Sequence, residues 1–218
     1  MKILLNNFDL NEALKKVENL GYVPTMGSIH KGHEFLIKQS KKGCKKTLVS
    51  IFINPKQFNN KTDYKNYPKN INKDLKILKK LKTDFVYIPK SKDVFNNTKQ
   101  KDIKLDKKDK ILCAKYRKGH FEGVLKVMDR LTNLIRPKKI FMGEKDYQQL
   151  YLVKKFIEKR YKSKIIACKT IRDRNNLALS SRNLLLTNKQ KLLASKLTMK
   201  IMELKYFIKK HKNIRSQI

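Results

Sequence analysis

Short apolar runs rich in β-branched and aromatic residues alternate along this chain with longer stretches of helical periodicity, and this alternation limits the fold more than any other feature. The runs are GYVPTM (21–26), KTLVSIFIN (46–54), TDFVYIP (83–89), KKIFMG (138–143) and KIIACKT (164–170), each bounded by Gly, Pro, Asn or Lys. Their length and continuous apolarity predict strands buried on both faces. Between them, Ile71, Leu75, Leu78 and Leu81 fall on one helical face, and Val124, Val127, Met128, Leu131, Leu134 and Ile135 on another. Residues 147–161 carry a similar stripe. Strand, helix and strand repeated in this way predict an α/β fold with a doubly wound parallel sheet, helices on both faces and ligands at the carboxyl ends of the strands.

The remaining segments are read from what they have to bury. TKQKDIKLDKKDK (98–110) offers little, which predicts a solvated excursion, partly mobile. From Asn188 to His211 the pattern predicts one long lysine-rich helix, with Leu192, Leu193, Leu197, Ile201, Leu204 and Ile208 spaced for packing. The start, MKILLNNFDL, is too short in apolar residues for a leader, and no run approaches a membrane span, so a soluble, cytoplasmic protein with no membrane partner is expected. Cys44, Cys113 and Cys168 form no CxxC pair and are expected as buried free thiols. The net charge of +36 is nearly all lysine, spread along the chain and accompanied by many asparagines. A bidentate phosphate reader would favour arginine, so no nucleic-acid partner is expected and the charge is assigned to a solvated surface that also suits small anions.

Four polar clusters lie just past predicted strands. In VPTMGSIHKGHEFL (23–36), a strand ending at Gly27 and a helix opening near Lys31 place His30 and His33 on the first helical turn, where unpaired N–H groups and the positive dipole end favour phosphate. A metal site is the rival for HxxH, but no third ligand stands nearby. ALSSRN (178–183) offers two hydroxyls and a guanidinium, with a helix cap and a solvated arginine as the plainer reading. GEKDYQQL (143–150) supplies Lys145 for phosphate, Asp146 for ribose hydroxyls and Gln149 one turn on; NPKQF (54–58) supplies Asn54 and Gln57 as uncharged donors.

Taken in order, these stretches resemble the pantothenate synthetase (pantoate-beta-alanine ligase) family. VPTMGSIHKGH, VSIFINPKQF, YP (67–68), GHFEGV (119–124), GEKDYQQL and LALSSRN (177–183) are similar to its six blocks between about Gly21 and Thr187. The wider superfamily of HxGH nucleotidyltransferases shares only the first block and a looser last one. The chain departs from the family at Lys118 (RKGHF for RPGHF), at Cys113-Ala114, at Lys69 and at Asn175-Asn176, positions that bear on loop rigidity.

The resemblance implies a Rossmann-like nucleotide- and pantoate-binding domain over 1–184, with 185–218 as a helical remnant of a carboxy-terminal lid, and a homodimer. It implies ATP along Met26, Gly27, Ser28, Ile29, His30, Lys31, Gly32 and His33, with His33 as proton donor. Gly143, Glu144, Lys145 and Asp146 would hold ribose and phosphate, Ile171 adenine, and Leu179, Ser180, Ser181 and Arg182 the phosphates. His30, His33, Lys145 and Arg182 would carry the catalysis. Gln57 and Gln149 would bind pantoate, and Gln57 beta-alanine. Mg2+ would come with ATP, Asp74 being the candidate carboxylate nearby. The activity implied is ATP-dependent condensation of pantoate with beta-alanine through a pantoyl adenylate, releasing AMP and pyrophosphate; another HxGH nucleotidyltransferase, or a lidless remnant that binds ATP with poor turnover, are the alternatives.

Overall fold

The computed structural model describes residues 1–54, 58, 61–95 and 102–211. Six parallel strands form one sheet: β1 (Lys2–Leu4), β2 (Leu20–Thr25), β3 (Lys46–Ile51), β4 (Phe85–Tyr87), β5 (Lys139–Gly143) and β6 (Lys164–Cys168), in the order β1-β4-β3-β2-β5-β6. The five expected strands are present, somewhat shorter than the apolar runs. β1 is additional to them, because KIL alone is too brief to carry a period.

Helices cover both faces, as parallel pairing requires. On one side, α2 (Lys31–Gly43) and α4 (Ile71–Lys80) set Leu36, Ile37 and Leu78 against Val23, Val49, Val86 and Phe141. On the other, α1 (Asn7–Leu14), α7 (His120–Ile135) and α8 (Tyr147–Arg160) bring Leu10, Leu131 and Val153 onto Tyr22, Leu48 and Ile140. Short helices α3 (Lys61–Asn66), α5 (Ser91–Val94) and α6 (Cys113–Tyr116) lie in the connections, and α9 (Asn188–Lys210) ends the described chain.

The strand order reverses at β2: β3 lies on one side of it and β5 on the other. Pairing between β2 and β5 runs over Gly21↔Lys139 and Tyr22↔Ile140, so Val23–Thr25 and Phe141–Gly143 continue beyond the paired rungs toward their carboxyl ends. A crevice at such a switch point is where a doubly wound sheet binds ligands.

Three expectations need correction. The three cysteines are free, but only Cys168 is buried; Cys44 is half-buried and Cys113, in the short helix α6, is exposed. Residues 102–110 are anchored: Leu105 and Asp109 are buried, and Lys155 Nζ reaches Asp106 at 2.8 Å and Asp109 at 2.5 Å. The lysines of this stretch hid one leucine and one carboxylate with a distant partner. Residues 98–101 lie outside the described ones. The long helix exists as α9, but its leucine stripe is not packed: Leu192, Leu193, Leu197, Ile201, Leu204 and Ile208 are 54–68% exposed. The helix turns inward the narrow face of Lys191, Ala194, Ser195 and Thr198, of which Ser195 is buried and the others are half-buried.

Among the described residues, no helix is long and apolar enough to cross a membrane.

Candidate active site

The loop after β2 is built around Asp74. Gly27 (φ +81°) and Ser28 (φ +51°) both take left-handed backbone, which turns the chain at once from strand to helix. Asp74, on the first turn of α4 and only 2% exposed, accepts the N–H of Ser28 at 2.8 Å and that of Ile29 at 2.7 Å. Thr25 Oγ1 donates to the Ser50 carbonyl at 2.7 Å and accepts from Gly27 N at 3.2 Å, which ties the turn to β3. Asp74 therefore shapes the loop, its two oxygens already engaged by backbone.

His30 is the N-cap of α2, in extended conformation, and its Nδ1 accepts from Gly32 N at 3.1 Å; His33 Nδ1 accepts from His30 N at 3.3 Å. An imidazole that accepts at Nδ1 carries its neutral proton on Nε2, so each ring keeps an Nε2–H donor for a ligand. The rings lie 4.0 Å apart between centroids. Burial, then the Lys145 charge, pulls the His30 pKa down to about 4; burial, then His30 and Lys145, pulls His33 down to about 3. Both are neutral donors at physiological pH. Gly32 leaves room for the cap: a Cβ there would stand 2.8–2.9 Å from the His30 ring.

Across the crevice, β5 ends at Gly143 and a 3-10 turn (Glu144–Asp146) leads into α8. Lys145 Nζ contacts both oxygens of Asp146, at 3.1 and 3.2 Å. The third wall is Leu179–Arg182. Tyr67, buried, shares a hydrogen bond of 3.0 Å with Ser181 Oγ, and Arg182 donates from Nε and Nη2 to the two oxygens of Asp63, at 3.0 and 2.8 Å. Asn176, where the family pattern has glycine, takes φ +62° in the tight loop before this wall, a conformation asparagine tolerates.

These groups share one cavity of about 230 Å³, lined by Met26, His30, Gly32, His33, Gly143, Lys145, Asp146, Gln149, Ile171, Leu179, Ser180, Ser181 and Arg182. Gly27, Ser28, Ile29, Lys31 and Glu144 are not on its surface: the first three form the turn beneath it, and Lys31 and Glu144 face solvent. Gln57 lies outside the described residues. The floor is apolar, made by Val124, Val127, Met128 and Leu131 of α7, which periodicity marked only as core. Tyr67 and Lys169 also line the cavity and were given no role from sequence; Asp63 stands behind Arg182, visible beforehand only as a lone acid in KTDYK.

Imidazoles, an ammonium and a guanidinium thus surround one hollow. The family model described as pantoate-beta-alanine ligase matches residues 3–218. The chain belongs to the pantoate-beta-alanine ligase family. This ligase is 41% identical over 181 residues to a pantothenate synthetase of Francisella philomiragia, covering 82% of this chain and 69% of that one. It is 39% identical over 210 residues to a pantothenate synthetase of Campylobacter hominis, covering 95% and 77%. Its fold is similar to the crystal structure of the pantoate-beta-alanine ligase of Francisella tularensis complexed with beta-gamma ATP and beta-alanine. The TM-score is 0.87 at 37% identity, over 91% of this chain and 78% of that chain. Members of this family are ligases that form an amide bond.

Proposed function

We propose that the cavity binds ATP and pantoate side by side, makes pantoyl adenylate, and passes the acyl group to beta-alanine. The observation that carries this reading is the meeting of His30 and His33, Lys145 and the Ser180–Arg182 wall around a single hollow at the β2–β5 switch point. A free carboxylate is a poor electrophile, so it is first activated. A pantoate carboxylate oxygen attacks the α-phosphorus; the bond to the bridging β-phosphate oxygen breaks and pyrophosphate leaves. The beta-alanine amine then attacks the acyl carbon, the C–O bond to phosphate breaks, AMP departs and the amine proton passes to solvent.

The side chains act by position and charge. The Nε2–H groups of His30 and His33, Lys145 Nζ and Arg182 donate to phosphoryl oxygens as charge shifts toward the leaving pyrophosphate. Burial holds the His33 imidazole neutral before substrates arrive, with its Nε2–H toward the phosphates, and the proton-donor role implied by the family resemblance is assigned to it here. In this reading Asp146 takes the ribose hydroxyls, Ile171 the adenine and Gln149 the pantoate, all three being cavity-lining residues. Gln57 keeps its proposed role toward pantoate and beta-alanine on resemblance alone.

Magnesium enters as the ATP complex and neutralises phosphate charge. Such an ion takes one or two carboxylates plus phosphate oxygens. Among the described residues no three His, Cys, Asp or Glu side chains cluster for a metal. All the groups used here lie within residues 1–184. The exposed Ile111, Leu112, Tyr116, Tyr147 and Tyr151 offer a face for pairing of two copies, and a homodimer in the cytoplasm belongs to this proposal.

ATP–pyrophosphate exchange with and without pantoate tests the reading. Exchange that requires pantoate is expected; exchange indifferent to pantoate would point to another HxGH nucleotidyltransferase.

A further inference from the structure

The geometry points to Asp63 as a positioning residue of the adenylation step, one that grips one edge of Arg182 and aims the guanidinium at the phosphates. This inference rests on the proposed function and adds a residue to it.

Arg182 lines the cavity, whereas Asp63 does not. The pair is bidentate, Nε to Oδ1 at 3.0 Å and Nη2 to Oδ2 at 2.8 Å, across 119 residues of sequence. A guanidinium has five N–H donors in a rigid fork, so two on Asp63 set the direction of the other three. The ring of Tyr67 faces the same guanidinium, its centroid 5.3 Å from the central carbon, and that of Phe58 lies at 5.9 Å. The Tyr67 hydroxyl holds Ser181, the neighbour of Arg182. Phe58, Asp63 and Tyr67 thus supply a carboxylate edge, two aromatic faces and a hydroxyl to the wall that meets the phosphates.

A second consequence is electrostatic. Hydrogen bonding from Arg182 holds the Asp63 carboxyl below the usual range, so it stays ionised wherever the enzyme works. Without a partner, a long cationic side chain on a surface turn samples many rotamers, and each contact with a triphosphate has to overcome that freedom. Asp63 removes it before ATP arrives. Asp63 lies behind the cavity wall, so its action on ATP passes through Arg182.

The experiment compares wild type, Asp63→Asn, Asp63→Glu, Arg182→Ala and the Asp63→Asn/Arg182→Ala double variant by direct MgATP binding and by pantoate-dependent pyrophosphate exchange. Asp63→Asn keeps shape and loses charge; it should weaken MgATP binding about tenfold and lower kcat/KM for ATP at least as much. Asp63→Glu should recover part of the loss, and in the Arg182→Ala background Asp63→Asn should cost nothing further, because contacts in one network are not additive. Unchanged or tighter ATP binding in Asp63→Asn, or an equal loss with and without Arg182, would overturn the inference. The binding arm decides this even if exchange is absent in wild type, a result that would instead remove the proposed function.

Discussion

The backbone N–H of His30 donates to Nδ1 of His33 at 3.3 Å, so the second histidine of the pair is oriented by the first residue's own main chain. The imidazoles are built into the helix start as caps, and a change in either alters both the fold of the turn and the donors it presents.

The pH behaviour follows from this. Both histidines titrate near 3 to 4 in the folded chain and near 6.5 when unfolded. Between those values the unfolded chain binds more protons, so stability is full above about pH 6.5 and declines as pH falls toward 4. Thermal unfolding from pH 7.5 to 4 should show this decline, with a shallower slope in His33→Gln. An unchanged slope would mean that the ring is not held neutral.

Removing the support beneath the turn should be costly. Asp74→Ala leaves the buried N–H of Ile29 and that of Ser28 without their acceptor, a loss of about 2–4 kcal/mol. Gly27→Ala forces a Cβ into left-handed backbone 3.0 Å from Asp74 Oδ2 and 3.2 Å from Ile51. The backbone alone accounts for about 1–2 kcal/mol. Chemical denaturation would measure both, and MgATP binding should weaken in each variant.

A tight approach between β2 and α2 gives a packing test. A Cβ on Gly21 would overlap Ser40 Oγ, which is itself bonded to Thr47 Oγ1 at 2.8 Å. Gly21→Ala should destabilise by about 1–3 kcal/mol, and Ser40→Ala in the same chain should return part of it. Equal losses in the presence and in the absence of the Ser40 hydroxyl would show that this group is not the obstacle.

Gln148 joins α8 to the segment before α7. Its Nε2 donates to the carbonyls of Ile111 at 2.7 Å and Asp109 at 3.3 Å, and its Oε1 accepts from Ala114 N at 3.3 Å. Gln148→Leu should leave the fold intact while trypsin cleaves several times faster at Lys107, Lys108, Lys110 and Lys115. Cleavage at the wild-type rate would show that Gln148 does not secure this stretch.

Where prediction from sequence succeeded, neighbours in the chain carried the signal. The sheet and its main helices follow from runs a few residues long, and the VPTMGSIHKGH turn from glycine and histidine set beside a strand end. Where it fell short, the partner was far away. LDKKD looked solvated until Lys155 met Asp106 and Asp109. The leucines of α9 had the spacing of a packed face, yet periodicity says only that side chains share a side and not that another element covers it. Val124, Val127, Met128 and Leu131 read as core and also form the cavity floor, a distinction that depends on where β2 and β5 part.

By itself the sequence determined the alternating α/β order, the identity of the polar side chains that line the cavity and their placement at strand ends, because hydrophobic period and turn chemistry act over a few residues. Only the tertiary structure decided that the histidines are neutral with their protons on Nε2, that Asp74 is a strut for the loop and that Asp63 holds Arg182. Each of those depends on burial, or on a hydrogen bond of about 3 Å whose partner folding brings alongside.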